Sequence, residues 1–181
     1  MDERRRRFEA QVMPHLDAAY RYARWLSGSS DDAQDLVQEA MLRAFRGFDA
    51  LRDAHAKAWL LTIVRNCHFT AQRQRPRGRM QSLSDEDEAV DQMALASTEP
   101  GPEDVTLRAD ERRSLERLLQ RLPDDYREIL ILREVEDMDY RAIAQLTGIP
   151  IGTVMSRLAR ARAALKKQWL MQPGEGSHVA P

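Results

Sequence analysis

Apolar residues recur at helical spacing through most of the chain. The clearest stretch is Ala33, Leu36, Val37, Ala40, Met41, Ala44, Phe45 and Phe48, which fall three and four apart and predict an amphipathic helix with one buried stripe. Ser30 stands where an N-cap is needed, and Asp31 and Asp32 suit the positive end of the helix dipole. An earlier helix is predicted from about Arg4 to Leu26, with Phe8, Val12, Leu16, Ala19, Tyr20 and Ala23 on one face, broken by Ser27-Gly28-Ser29-Ser30. After a loop from Gly47 to Ala54, a third helix is predicted from His55 to Arg73. It buries Trp59, Leu60, Ile63, Val64 and Cys67 and stops before Pro76, because a residue preceding proline disfavours the helical region.

Residues 77–104 hold no sustained period and carry Pro100-Gly101-Pro102, so they predict a flexible linker. Helices are predicted again over 105–121, 124–135, 139–146 and 151–168, with Leu122-Pro123-Asp124 dividing the first two. No stretch alternates as a strand would. The expected fold is all-α: a helical domain at 1–76, an acidic linker at 77–104, a second helical domain at 105–170 and a tail at 171–181.

Residues 139–167 read as helix, tight turn and basic helix. Ile143, Ala144 and Leu146 cluster beside the turn, Gly148 permits the backbone angle that a short turn requires, and Pro150 suits a helix start. Val154, Leu158, Ala161 and Leu165 repeat at helical spacing and must face inward, leaving Thr153, Ser156, Arg157 and Arg160 outward. A helix-turn-helix whose second helix presents hydroxyls and arginines has the shape and chemistry to enter a DNA major groove.

The net charge of −1 conceals segregation. Residues 1–79 hold 15 basic and 10 acidic side chains, residues 80–104 hold 8 acidic and no basic ones, and residues 105–181 hold 13 basic and 11 acidic. Two basic lobes therefore flank an acidic segment, a pattern that suits partners of opposite charge better than the total implies. The lone Cys67 excludes an internal disulfide and a cysteine-rich zinc site. The four histidines lack ligand spacing, and no phosphate-binding glycine loop, nucleophile elbow or carboxylate pair occurs, so no metal, cofactor or catalytic role is expected. No apolar run approaches the roughly 20 residues of a membrane span. The charged start MDERRRRFEA is unlike a secretory signal, so a cytoplasmic location is expected.

In this order the motifs resemble those of bacterial RNA polymerase sigma factors of the extracytoplasmic-function group. DAQDLVQEAMLRAF at 32–45 is similar to the second conserved region, AWLLTIVRNCHFTAQRQRP at 58–76 to the promoter-melting helix, and LLQRLPDDYREILILREVEDMDYRAIAQLTGIPIGTVMSRLARAR at 118–162 to the fourth region. The resemblance covers about two thirds of the chain. It implies core RNA polymerase and promoter DNA as partners, an anti-sigma factor as regulator, and polymerisation chemistry left to the polymerase.

The same resemblance distributes roles over the two lobes. Asp35, Gln38, Glu39 and Arg43 on the second helix would dock on polymerase. Arg65, Asn66, Phe69, Gln72 and Arg73 would hold the melted minus-ten element, Asn66 helping to grip a flipped base, with the loop from Phe48 to His55 as the opposite wall. Amide, aromatic and cationic side chains are also the kinds that read, stack on and follow single strands. Gly152, Thr153, Met155, Ser156, Arg157, Ala159 and Arg160 would meet the minus-thirty-five element. Met155 departs from the family, which often carries a basic residue there. The residues by themselves also admit a helix-turn-helix regulator that binds DNA without polymerase, or a helical adaptor that binds only protein.

Overall fold

The structure is a computed structural model that describes residues 2–51, 55–74 and 114–171. The predicted linker at 77–104, the predicted helical residues 105–113 and the tail beyond Met171 lie outside the described residues.

The first lobe is built from α1 (Asp2–Gln11), α2 (Leu16–Ser27), α3 (Ser30–Arg46) and α4 (Ala56–Gln74). Helices α2, α3 and α4 pack on one another as a bundle. Their core uses many small side chains: Ala19, Ala23, Ala33, Ala40 and Ala44 are all fully buried, which lets the helix axes approach closely. Tyr22, Leu60, Leu61 and Val64 fill the remaining volume.

The single long helix expected from Arg4 to Leu26 is in fact two. Pro14 lacks the amide hydrogen an α-helix needs and its ring crowds the preceding turn. The chain therefore passes through a 3-10 turn at Met13–His15 before α2 begins. The expected cap at Ser30 is also one residue off. Ser29 is extended (φ −125°, ψ 141°) and its hydroxyl accepts from the Asp32 amide, while the Ser30 hydroxyl bonds to that of Tyr20 at 2.9 Å. Two adjacent serines gave the pattern no means of choosing between them.

Helix α1 is fastened by the arginine run. Arg4 donates to the carbonyl oxygens of Phe45 and Arg46 at 2.7 and 3.3 Å, which satisfies groups orphaned at the end of α3, and its guanidinium lies 4.8 Å from the centre of the Phe45 ring. Phe8 meets Phe45 and Phe48 edge to face, at 5.1 and 5.3 Å. Phe48 is therefore a core residue, held by a 3-10 turn at Phe48–Ala50, and is not the wall of a base pocket. Residues 52–54 of that loop lie outside the described residues.

The second lobe holds α5 (residues 114–120), α6 (Asp124–Leu130), α7 (Tyr140–Thr147) and α8 (Ile151–Leu170). Helix α6 runs on into a π-helical turn at Ile131–Val135, closed by the Glu136 amide donating to the Ile131 carbonyl at 3.0 Å. Asp137 follows with φ +50°, a left-handed conformation that aspartate tolerates better than most residues. Asp139 caps α7 by accepting from the Ala142 amide at 2.8 Å, and Gly148 ends it with φ +73°. Pro150 opens α8 as expected.

Among the described residues the two lobes pack against each other. Helix α4 packs against α7, α2 touches the π turn, and one cluster of buried side chains runs through both lobes.

Cys67 is buried, and desolvation pushes its thiol pKa up despite the opposing pull of Arg43. We expect a disulfide reagent to label it only when the first lobe opens. Leu60→Ala removes a fully buried side chain and should cost about 2–5 kcal/mol, read as a lower urea midpoint together with faster Cys67 labelling. Unchanged labelling in a clearly destabilised variant would place the thiol outside the cooperative core.

Candidate nucleic-acid interface

Helix α8 buries Val154, Leu158 and Ala161 against its own lobe and carries no acidic residue along its length. Gly152, Met155, Ser156, Ala159 and Arg160 are exposed, with Met155 52% accessible, and Thr153 is half-buried. A side chain built at Gly152 would meet open space, so the first turn of α8 presents a smooth surface. The Ser156 hydroxyl donates to the Thr153 carbonyl at 3.1 Å. The two arginines expected to act alike differ in setting: Arg157 is half-buried and pairs with Asp125 of α6 at 2.9 Å, whereas Arg160 is exposed. Farther along, Arg162 pairs with Glu134.

On α4 the five expected residues also divide. Asn66, Gln72 and Arg73 are exposed and Phe69 is half-buried. Gln72 lies 2.9 Å from the His68 ring nitrogen. Arg65, expected on an open face, instead turns to the second lobe. Its guanidinium stacks over Phe69 at 4.6 Å and donates to Glu128 of α6 at 2.8 and 3.4 Å. Desolvation works against the Arg65 charge, but the Glu128 carboxylate outweighs it and holds the pKa above its ordinary value.

Glu128 also accepts from the buried Tyr22 hydroxyl at 2.7 Å. Burial, then the neighbouring carboxylate, pushes the Tyr22 phenol well above its usual range. Beside this pair sits a second one. Glu136 has no exposed side-chain surface and receives Arg21 in a fork, at 3.0 and 3.1 Å, and the Lys57 ammonium at 3.0 Å. Lys57 also donates to the Glu136 carbonyl at 2.5 Å. A cleft beside this junction is lined by His15, His55, Lys57 and Glu136. Burial, and then Lys57, lowers the His15 pKa, which favours the neutral ring next to these charges. Among the described residues no group of His, Cys, Asp and Glu could hold a metal ion.

On α3 the four expected docking residues, Asp35, Gln38, Glu39 and Arg43, are exposed on one face, and Glu39 pairs with Arg43 at 2.6 Å. The face also presents Leu42, 54% accessible, which the sequence reading left out. Phe45, counted there in the buried stripe, is 38% accessible and covered in part by Arg4. The junction residues Arg21, Tyr22, Lys57, Glu128 and Glu136 were likewise missed. They look like ordinary charged or core positions until the chain folds back on itself.

Comparisons with known proteins agree with this geometry. Family models match in the same order as the lobes: Sigma-70 region 2 over residues 11–77 and Sigma-70, region 4 over residues 112–165. The ECF RNA polymerase sigma factor SigE of Mycolicibacterium smegmatis is 32% identical over 86% of this chain, which spans 58% of that protein's length. EcfG of Rhodopseudomonas palustris is 36% identical over 85% of this chain and 78% of its own. The sigma factor RpoE of Bartonella quintana, solved in complex with the anti-sigma factor NepR, superposes with a TM-score of 0.68 at 29% identity, covering 91% of this chain and 98% of that one. Two lobes in order and relatives that align across both place this chain in the family of ECF RNA polymerase sigma factors.

Proposed function

We propose that this chain is a dissociable initiation factor: it binds core RNA polymerase, directs it to particular promoters and helps to melt them. The observation that carries the reading is the pairing of a cation-only helix, α8, with the amide and aromatic face of α4 on a separate lobe. Duplex recognition and capture of a melted strand need different surfaces, and the chain has one of each. Polymerisation belongs to the polymerase, so the chain itself is not an enzyme, and its work is done in the cytoplasm, where polymerase and promoters meet. Transcription from a cognate promoter by purified core enzyme, with and without this chain, tests the reading directly. Tight sequence-specific DNA binding by the free chain, with no transcription on adding core enzyme, would instead identify a regulator that acts without polymerase.

The exposed polar face of α3 around Asp35, Gln38, Glu39 and Arg43 is the polymerase dock, with Leu42 as its apolar centre. A mixed face of this kind gains affinity from the apolar anchor and orientation from the charged rim. The related RpoE in complex with NepR supports control by an anti-sigma factor. Such a partner would cover the same α3 face and exclude polymerase.

Four outcomes follow. Arg160→Ala should weaken upstream-element recognition by about 1–3 kcal/mol, the range for a side chain that reads a base, as measured by promoter competition. Arg157→Ala should cost less, because that guanidinium must first leave Asp125. Asn66→Ala should leave closed-complex formation intact and reduce permanganate reactivity of bubble thymines. Equal losses of closed binding in all three variants would contradict this division of roles. Asp35→Lys should raise the Kd for core polymerase by roughly tenfold, about 1.4 kcal/mol, while leaving the thermal midpoint of the free chain within the small range typical of exposed substitutions.

A further inference from the structure

The exposed face of α8 is sorted by chemistry. Its crest, the row opposite the buried Val154, Leu158 and Ala161, is Gly152, Ser156, Ala159 and Ala163, all small and all exposed. One flank of the crest is apolar: Ile151 and Met155, one helical turn apart, are 43% and 52% accessible. The other flank carries Thr153, Arg157 and Arg160. Small residues on a crest let a helix sit deep in a groove, so that the long side chains on its flanks reach base edges and backbone to either side. Two large apolar side chains at the start of such a helix have a narrow choice of partner. Every base edge in the major groove offers hydrogen-bonding groups, and the 5-methyl of thymine is the one apolar group among them. Over that methyl, Ile151 and Met155 would bury apolar surface; over any other edge they would strip water from a polar group and offer it no partner. Methionine suits the task, because its unbranched, polarizable chain can follow a methyl group closely.

We infer that Ile151 and Met155 are specificity-determining residues that select thymine in the upstream promoter element through its 5-methyl group, on the side of the groove away from Arg157 and Arg160. The inference rests on the reading of α8 as the duplex-recognition helix and carries it from a surface to a base and a functional group. An apolar protein surface could also cover the pair. The charge of α8 favours DNA: the helix has no acidic residue along its length, and the flank opposite Ile151 and Met155 is cationic, which matches a polyanion. Gly152 contributes by what it lacks, since a side chain built there meets open space and would stand between the apolar flank and the groove floor.

The test uses the full chain with core RNA polymerase on a library of linear promoters whose upstream element is randomised. Templates that support transcription should be enriched in thymine at one or two neighbouring positions of that element. Each such thymine is then replaced by deoxyuridine, which removes the methyl group and leaves base pairing and the other groove groups in place. Each replacement should raise the Kd of the holoenzyme by roughly fourfold, the equivalent of one buried methyl group. The double variant Ile151→Ser/Met155→Gln should bind the thymine and deoxyuridine templates equally. Met155→Leu should keep the discrimination, and Arg160→Ala should keep it while binding both templates more weakly. No enriched thymine, or a parent chain indifferent to deoxyuridine at every enriched thymine, would overturn the inference. So would a double variant that loses the same factor on both templates, which would assign the flank to a protein contact. Transcription separates the two levels of argument. Initiation by the parent chain with no deoxyuridine effect defeats this inference alone. No initiation on any template defeats the initiation-factor reading, and the same deoxyuridine comparison on duplexes selected by the free chain then decides the role of the flank.

Discussion

The Glu136 side chain has no exposed surface, and a carboxylate in that position must be surrounded by fixed positive charge. Arg21 and Lys57 supply it from two different helices of the other lobe. Removing either partner would leave a buried charge short of compensation, which is why such pairs specify one arrangement more strongly than they add net stability. The relative placement of the two lobes depends on this constraint. The π-helical turn at Ile131–Val135 belongs to the same device: it ends α6 with a wider turn and delivers Glu136 to the junction, where the left-handed Asp137 then redirects the chain into α7.

Inside the first lobe a different principle operates. Five fully buried alanines let α2, α3 and α4 lie close together, so little side-chain volume separates their axes. This is why a helix as amphipathic as α3 can spend one face on packing and leave Asp35, Gln38, Glu39, Leu42 and Arg43 for partners. The second lobe solves a related problem with caps. Asp139, Gly148 and Pro150 each fix one end of a helix, and together they hold α8 with its arginines turned away from the core.

Much of this could be read in the sequence because it is local. The three-and-four spacing located α3, α4 and α8, and Gly148 with Pro150 located the turn, since each depends on residues within one or two helical turns. Pro14 was also legible, but an apolar stripe running through it hid the break between α1 and α2. Arg65 was placed on α4 correctly and given the wrong surroundings. Its partner Glu128 is 63 positions away, and Arg21 is 115 positions from Glu136. No periodic signal spans such distances. A buried glutamate and an exposed one are written with the same letter. Family resemblance named the lobes and their order, but the pairing between them needed coordinates.

That separation also has a consequence in time. A chain emerging from the ribosome at roughly 5–20 residues per second needs about 6–23 s to pass from Arg21 to Glu136. All of α1 to α4 precedes the second lobe, so the bundle can assemble while its two cation sites still face solvent. During that interval the nascent first lobe offers bare arginine and lysine to the polyanionic surroundings of the ribosome. The closing of the lobes is therefore a late event in the birth of each molecule, and until then the young chain is most exposed to capture by the wrong polyanion.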